Sequence, residues 1–198
     1  MMQTREFFDH LAATWEKDSF PPETRERLAV LLQTIIIPNG AWVLDVGAGT
    51  GILHPYLLQA VGTQGRVMAC DLSFRMLTQA HKNFPMPNRL CIQADVTQMP
   101  LSSAICDVII CFAAFPHIAN KLGALREMAR VAKQGAEIVI AHLMSRMEIM
   151  RHHDSHPAVA GDHLPEASHM KQIVTEAGFS DPTIRDAPGL YLARARRI

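Results

Sequence analysis

The sequence predicts an α/β domain whose mostly parallel sheet carries helices on both faces. Apart from Asp45, residues 41–46 are apolar on both faces of a strand, as expected where helices cover a parallel sheet. This strand stops in three glycines at alternate positions, and residues 52–61 then have helical composition. A second apolar strand, residues 66–70, ends at an acidic residue. A strand, a tight glycine turn and a helix in this order are typical of folds that bind ligands at the carboxyl edge of the sheet.

The spacing of the three glycines indicates which ligand the turn serves. Dinucleotide-binding folds use G-x-G-x-x-G, whereas this chain reads Asp45-Val46-Gly47-Ala48-Gly49-Thr50-Gly51. The pattern D-x-G-x-G-x-G resembles motif I of the class I S-adenosylmethionine (SAM)-dependent methyltransferases at all four defined positions. The resemblance implies that the turn passes under the methionine and ribose part of SAM, where a Cβ at Gly47 or Gly49 would collide. The alternative is a turn that serves only as a tight connection.

Two acidic residues follow the next two strands. Asp71 lies roughly 20 residues past the glycines, where Rossmann-like folds place a carboxylate on the ribose hydroxyls, and a helix N-cap is its alternative role. Asp95 follows the third strand, and the resemblance implies that it lies near the adenine amino group; a solvent-facing turn residue is the alternative. The residues expected to hold the cofactor are Asp45, Gly47, Ala48, Gly49, Thr50, Gly51, Asp71, Leu72, Met76, Asp95, Val96, Cys111 and Phe112.

The N-terminal segment carries a second likeness. Residues 8–16 resemble the F-D-x-x-A-x-x-Y-D entry of the ubiquinone/menaquinone-biosynthesis-like (methyltransferase type 11) group, with Trp15 at the Tyr position and Glu16 at the Asp. In that group the helix covers the cofactor pocket as a lid; an amphipathic helix packed on the sheet edge is the alternative. We expect one domain over residues 1–198, with a helical lid at 1–37, a cofactor-binding core at 38–143, and a His-rich insertion, last helix and final strands at 144–198.

The family fold implies a seven-stranded sheet in the order 3-2-1-4-5-7-6, with the last strand antiparallel. Residues 122–135 resemble the family's L-x-E-x-x-R-V-L-K-P-G-G segment, except that Gln134 replaces Pro and Ala136 replaces the second Gly. The remaining elements are expected as helices over residues 23–36, 74–82 and 166–177 and as strands over residues 89–94, 105–112, 136–143, 183–186 and 190–195.

Composition excludes several other classes of protein. The chain has 19 basic and 19 acidic side chains, so it lacks the charge excess of proteins that bind nucleic acid. No apolar run approaches the roughly 18 residues of a membrane span, and residues 1–10 lack a signal-peptide core, so we expect a cytoplasmic protein that does not enter the membrane. The cysteines form no C-x-x-C pair, which disfavours disulfides and a thiolate zinc site, and all four are expected in buried strands: Cys70, Cys91, Cys106 and Cys111.

Histidines gather where the methyl group should be presented. Methyl transfer requires an oriented acceptor and, for some acceptors, a base. Of the 10 histidines, His117 and His142 follow strands four and five, and five more follow in the insertion. The cluster has three interpretations: structural and solvated residues; a general base or orienting group, with His142 and His117 first; or a site for a divalent transition metal. The metal candidates are His142, His152, His153, His156 and His163, with His117, Asp154 and Asp162 as further ligands.

The acceptor can be narrowed only by exclusion. Residues 112–116 contain no N-P-P-Y-like tetrad, which disfavours nucleobase amino groups, and strand four ends without the carboxylates of a catechol-type magnesium site. We expect a small neutral or aromatic acceptor in a pocket formed by Trp15, Phe115, His117, His142 and Met144. The function predicted is a SAM-dependent methyltransferase. The alternatives are a SAM-binding or metal-binding protein without turnover and, less favoured by the glycine spacing, an NAD-dependent oxidoreductase.

Overall fold

In a computed structural model of the protein, residues 4–85 and 88–198 are described, so the first three residues of the predicted lid lie outside them. The strands are β1 (Trp42–Val46), β2 (Arg66–Asp71), β3 (Arg89–Gln93), β4 (Cys106–Phe112), β5 (Ala132–His142), β6 (Phe179–Ala187) and β7 (Leu190–Arg197). The α-helices are α1 (Thr4–Leu11), α2 (Trp15–Ser19), α3 (Pro22–Gln33), α4 (His54–Val61), α5 (Phe74–Asn83), α6 (Lys121–Val131), α7 (Arg146–Asp154) and α8 (Ala167–Glu176). A short 3-10 helix, Phe115–His117, follows β4.

The strands form one sheet in the order β3-β2-β1-β4-β5-β7-β6. Strands β1 to β5 pair in parallel, and β7 runs antiparallel to both β5 and β6. The predicted fold class, strand order and antiparallel last strand are therefore confirmed. The parallel arrangement brings the ends of β1, β2 and β4 to one edge of the sheet, which is the edge where such sheets bind ligands.

Two hydrophobic layers cover the two faces of the sheet. Along β4 the side chains alternate between them: Ile109 and Cys111 belong to the layer that includes Leu125 of α6 and Met170 of α8. Ile110 and Phe112 belong to the layer under α3 and α4. Burial on both sides explains why the central strands have nearly continuous apolar sequences. Each fully buried large side chain contributes about 1.5–3 kcal/mol, so these layers fix the strands that carry the site.

One cysteine departs from expectation. Cys70, Cys106 and Cys111 are buried, and burial raises the pKa of the Cys70 and Cys106 thiols to about 12. Cys91 is exposed, which corrects the prediction that all four are core residues. The reason is its place in β3, which lies at the edge of the sheet, where Ile92 is the one residue of that strand buried from solvent.

Three segments also differ from the expected elements. The helical period from Phe7 to Trp15 is interrupted, because α1 ends at Leu11 and a turn precedes α2. Strand β5 begins at Ala132, which pairs with Cys106 ahead of an irregularity in the register. The region expected as a His-rich insertion forms α7, which begins with a capping box between Ser145 and Glu148. No helix among residues 4–85 and 88–198 combines the length and the hydropathy that a membrane crossing requires.

Glu148 ties α7 to the hairpin between β6 and β7. Its Oε2 accepts hydrogen bonds from the Ser145 amide at 2.7 Å, the Ser145 hydroxyl at 2.8 Å and the Gly189 amide at 2.9 Å. These donors, the Ser145 and Gly189 amides first, lower the pKa of Glu148 to about 2. The carboxylate therefore stabilises the fold when it is ionised.

We expect Glu148→Gln to lower the melting temperature at pH 7, because the amide cannot accept the same three bonds with a full charge. Since the folded pKa is depressed below the ordinary value of 4.5, the advantage of the wild type is present above pH 4.5 and is lost as the pH falls toward 2. Calorimetric melting across this range checks the expectation, with Glu26→Gln on the exposed side of α3 as control. A difference that grows on acidification would contradict it.

Candidate active site

The glycine turn follows the carboxyl end of β1, and its backbone is left-handed at Gly47 (φ 68°) and Gly49 (φ 53°). A Cβ on Gly47 would lie 2.2 Å from the Cβ of Ala114, in the segment after β4. A Cβ on Gly49 would meet no atom within 4 Å, because that residue borders an open cavity. Gly47 is thus required by packing within the chain, and Gly49 by its backbone angle beside the space for a ligand.

Asp71 holds this turn in place from the end of β2. The Gly49 amide donates to Asp71 Oδ2 at 2.8 Å, and the Ser73 amide donates to Oδ1 at 2.8 Å. Burial raises the pKa of Asp71 to about 6, although the two amide donors act in the opposite direction. The cap of α5 is supplied by Ser73, whose hydroxyl accepts from the Met76 amide at 3.0 Å. Asp71 is therefore a partly buried carboxylate that is hydrogen-bonded to the glycine turn.

A cavity of ≈ 380 Å³ opens beside the turn, at the carboxyl edge of β1, β2 and β4. The predicted cofactor residues that line it are Gly47, Ala48, Gly49, Thr50, Asp71, Leu72, Met76, Asp95, Val96 and Phe112. Thr50 Oγ1 is buried and has no hydrogen-bond partner among the described residues, as expected of a group that a ligand satisfies. Asp95 Oδ1 accepts from the amide and the hydroxyl of Thr97, at 2.8 and 2.7 Å.

Three predicted cofactor residues do not line this cavity: Asp45, Gly51 and Cys111. Cys111 lies in the core under α6, where burial raises the pKa of its thiol above the ordinary range. Its side chain is directed away because neighbouring residues of a strand point to opposite faces, and Phe112 takes the cavity side. Sequence reasoning located the end of β4 but assigned both faces to the site.

Asp45 supports the turn from beneath. Its Oδ2 lies 3.5 Å from His54 Nε2, and both side chains are buried. The Nη1 atom of Arg89 lies 3.2 Å from His54 Nδ1, so the imidazole lies between a carboxylate and a guanidinium. Gly51 packs on this imidazole, because a Cβ there would lie 2.5 Å from His54 Nδ1. Sequence reasoning missed His54 and Arg89; a lone histidine in the apolar start of α4 was the available signal.

The N-terminal helices and the residue that follows α2 contribute Phe8, Trp15 and Phe20 to the lining of the cavity. The Ser73 hydroxyl donates to Asp9 Oδ1 at 2.5 Å, which attaches α1 to the start of α5. Glu16 accepts from Asn83 at the other end of α5 and from Arg25 Nη2 at 2.7 Å. The two acidic positions of the N-terminal likeness, Asp9 and Glu16, therefore attach the segment to the two ends of α5.

His117 lines the same cavity and is paired with a carboxylate. Its Nδ1 lies 2.8 Å from Asp162 Oδ2, and its ring contacts Phe8 edge-on at 5.0 Å between centroids. A proton on Nδ1 satisfies Asp162 and leaves the Nε2 lone pair available as a base. Asp162 lies in the segment between α7 and α8, 45 residues further along the chain.

Of the other residues predicted to form the acceptor pocket, only one lines the cavity. Trp15 lines the cavity with His117, whereas Phe115, His142 and Met144 do not. Phe115 is buried in the hydrophobic core, and Met144 packs against that core. The His142 ring lies 6.4 Å from that of Phe112, and its Nδ1 is buried without a hydrogen-bond partner among the described residues. Burial first, and nearby histidines second, lower the pKa of His142 to about 3, which leaves it a weak base.

The predicted metal site is not supported. Over residues 4–85 and 88–198, no three His, Cys, Asp or Glu side chains converge as metal ligands. The candidate rings use their nitrogens locally: His153 Nδ1 lies 2.5 Å from the Asp162 carbonyl oxygen, and His156 Nδ1 lies 2.8 Å from that of His152. His163 Nε2 lies 2.9 Å from Asp154 Oδ1. The two remaining candidates, His142 and His152, do not form a group of three ligands with these histidines either.

Comparison with known proteins agrees with this geometry. A family model described as a methyltransferase domain matches residues 44–140. The chain is 31% identical over 106 residues to the ubiquinone/menaquinone biosynthesis C-methyltransferase UbiE of Coxiella burnetii. The aligned region covers 52% of this chain and 42% of the relative. It is 26% identical over 195 residues to the demethylmenaquinone methyltransferase of Paenarthrobacter aurescens, covering 86% of this chain and 75% of that one.

A SAM-dependent methyltransferase from Aquifex aeolicus has the same fold, with a TM-score of 0.75 at 23% identity over 94% of this chain and 98% of that one. The sheet order, the glycine turn and these matches together place the domain at residues 44–140 in the class I SAM-dependent methyltransferases. The predicted family is therefore confirmed. The chain spans less than half the length of the Coxiella relative.

We expect Asp71→Asn to weaken binding of SAM and S-adenosylhomocysteine by about 1–3 kcal/mol, since hydrogen bonds to a charged group are lost. Because the pKa of Asp71 is raised to about 6, the wild type should lose affinity as the pH falls below 6 and the carboxylate takes up a proton. Titration calorimetry between pH 5 and 8 checks both, with the exposed Asp181→Asn as control. An unchanged affinity in folded Asp71→Asn would remove this residue from the site.

Gly47→Ala should destabilise the fold by about 2–4 kcal/mol, because it combines left-handed backbone with overpacking against Ala114. Adding Ala114→Gly should recover the free energy lost to overpacking, roughly 1–3 kcal/mol. The loss due to the left-handed backbone should remain. Gly135→Ala is the matched control, since its φ is 78° but no atom lies within 4 Å of the added carbon. Urea unfolding measures all four proteins. Equal losses for Gly47→Ala and Gly135→Ala would show that the contact with Ala114 is unimportant.

Proposed function

We propose that the chain transfers the methyl group of SAM to a small aromatic acceptor. One observation carries the proposal: the glycine turn, Asp71 and a carboxylate-paired histidine line a single cavity. A cavity that only bound SAM would need the first two features and would have no use for an oriented base. Class membership alone would not support the proposal, because fold does not establish activity.

The residues present fit SAM. Asp71 can accept hydrogen bonds from both ribose hydroxyls while keeping its two amide donors, since a carboxylate has about four acceptor sites. Asp95 lines the region of the cavity assigned to the adenine, and Thr50 Oγ1 offers a buried hydroxyl that still lacks a partner among the described residues. When bound, SAM supplies a methyl group on a positively charged sulfur. The turn at Gly49 leaves space for it, because its missing Cβ points into open volume.

His117 is the proposed base. Asp162 holds its Nδ1 at 2.8 Å, which fixes the ring and favours the tautomer whose Nε2 can take a proton. His117 removes the acceptor's proton as the acceptor bonds to the methyl carbon and the carbon–sulfur bond breaks. The proton ends on His117, and Asp162 stabilises the resulting imidazolium.

The acceptor is proposed from the cavity wall and from the relatives. Several side chains that line the cavity are aromatic or apolar, among them Phe8, Trp15, Phe20, Phe112 and Ile118, and Phe8 contacts His117 edge-on. The Coxiella and Paenarthrobacter relatives are named for C-methylation in ubiquinone and menaquinone biosynthesis and for demethylmenaquinone methylation. Both lines support an aromatic ring, and the carboxylate-paired His117 supports one that carries an acidic proton, such as that of a ring hydroxyl. The test is methyl transfer from isotopically labelled SAM to a panel of hydroxylated aromatics; binding of SAM without transfer to any of them would favour a binding protein that lacks turnover.

With an accepted substrate in hand, His117→Gln should reduce turnover by about 10²–10⁴-fold, the usual contribution of a general base. Affinity for S-adenosylhomocysteine should stay within about twofold, since glutamine keeps a polar side chain of similar reach. Single-turnover kinetics and calorimetry provide the two readouts. His169→Gln, on the exposed face of α8, is the control. Full activity in His117→Gln would assign the proton transfer to another group.

A further inference from the structure

A second cavity of ≈ 240 Å³ lies between the N-terminal helices and α7. It shares Phe8, Trp15 and His117 with the cavity at the glycine turn. Its other walls come from α1, the turn before α2, α7 and the segment after α7. The shared residues include the proposed base, so the two cavities meet at the point where proton transfer would occur.

The volume of the first cavity argues that the acceptor needs this second space. At ≈ 380 Å³ it lies near the lower end of the roughly 300–1,000 Å³ that ligand cavities span. A molecule the size of SAM, with its adenine, ribose and methionine parts, therefore takes up most of it. The acceptor must then approach from the far side of Phe8, Trp15 and His117, which is where the second cavity lies.

The far wall of the second cavity is a row of rings. From the shared edge outward, the ring centroids are 4.7 Å apart for His117 and His153, 5.9 Å for His153 and His152, and 4.8 Å for His152 and His156. Phe8 continues the row at 5.0 Å from His117. The ring planes of the histidine pairs are tilted by 34° to 49°, and Phe8 meets His117 edge-on. The centroid separations are in the range of aromatic pairs, so the wall can accept a flat ring by contacts of the same kind.

The charge of the cavity selects against anions. Of the residues described along its wall, none is Lys or Arg, and Asp18 adds a carboxylate. Burial lowers the pKa of His152 and of His153, so both rings are neutral at pH 7. The Nδ1 of His153 lies 2.5 Å from the Asp162 carbonyl oxygen and donates to it, which leaves its Nε2 as a hydrogen-bond acceptor. An uncharged ring with hydroxyl donors matches such a wall, and a carboxylate does not.

We propose that this second cavity is the acceptor site, and that its imidazole row selects an uncharged, hydroxyl-bearing aromatic ring placed against His117. The proposal rests on the methyl-transfer function proposed above and adds the location and the charge preference of the acceptor. Val159 and Thr14 line the second cavity and not the first, so each can be enlarged without entering the SAM site.

The test is calorimetric titration of 1-naphthol and of 1-naphthoate into protein saturated with S-adenosylhomocysteine. Naphthol should bind, and naphthoate should bind at least about tenfold more weakly, a difference of about 1.4 kcal/mol. Val159→Trp and Thr14→Trp should each weaken naphthol binding about tenfold or more by filling the cavity, with S-adenosylhomocysteine affinity retained. Val30→Trp, on the exposed side of α3, is the matched control and should leave both affinities unchanged.

The outcomes separate this proposal from the one on which it rests. Failure of S-adenosylhomocysteine to bind the wild type would reject the proposed function and this site with it. Three other outcomes would reject the second cavity as the acceptor site and leave the proposed function standing. The first is that S-adenosylhomocysteine binds and naphthol does not. The others are that neither tryptophan weakens naphthol binding, or that naphthoate binds as tightly as naphthol. Val159 is buried, so its variant is accepted only if near-ultraviolet circular dichroism is native; Thr14 is exposed and provides the same test without that risk.

Discussion

The hydrogen bond from the Gly49 amide to the Asp71 carboxylate joins the end of β1 to the end of β2, and the candidate site depends on it. The bond acts on a turn of left-handed glycines together with the Gly47 and Ala48 amides, which donate to the Cys70 carbonyl of β2 at 2.8 and 3.1 Å. It also holds a partly buried carboxylate, with its pKa raised to about 6, at the edge of a cavity. Asp45, His54 and Arg89 support the same turn from below, and Ala114 packs on it from the side. A ligand therefore meets a surface that is already formed, which lowers the ordering cost of binding.

The N-terminal helices connect the cofactor cavity to the second cavity. Asp9 and Glu16 attach them to the two ends of α5, and that helix begins just after Asp71. The same segment contributes Phe8 and Trp15, which border both cavities. The hydrogen bonds of Asp9 and Glu16 to α5 therefore fix the position of two side chains that border both cavities.

Sequence reasoning was most successful where the signal is local. Glycine spacing and two apolar strands predicted the turn, because backbone angle and burial act over a few residues, whereas the strand order followed from the family resemblance that the turn carries. The partners that complete the site are distant in sequence: Asp162 lies 45 residues from His117, and Arg89 lies 35 from His54. No periodicity predicts such pairs. His142 shows a different limit, because a position at a strand end predicts the edge of the sheet but not the direction of the side chain, which lies beside Phe112. The histidines of α7 suggested a metal site, yet local backbone and carboxylate partners occupy several of their nitrogens.

The central claim is that the cavity beside the glycine turn binds SAM. A crystal structure of the protein with S-adenosylhomocysteine tests it most directly. The account predicts one bound molecule, with both ribose hydroxyls within hydrogen-bond distance of Asp71, the adenine beside Asp95, and the sulfur on the side of the cavity nearest His117. Density for the molecule at another place, or in this cavity with its ribose away from Asp71, would contradict the account.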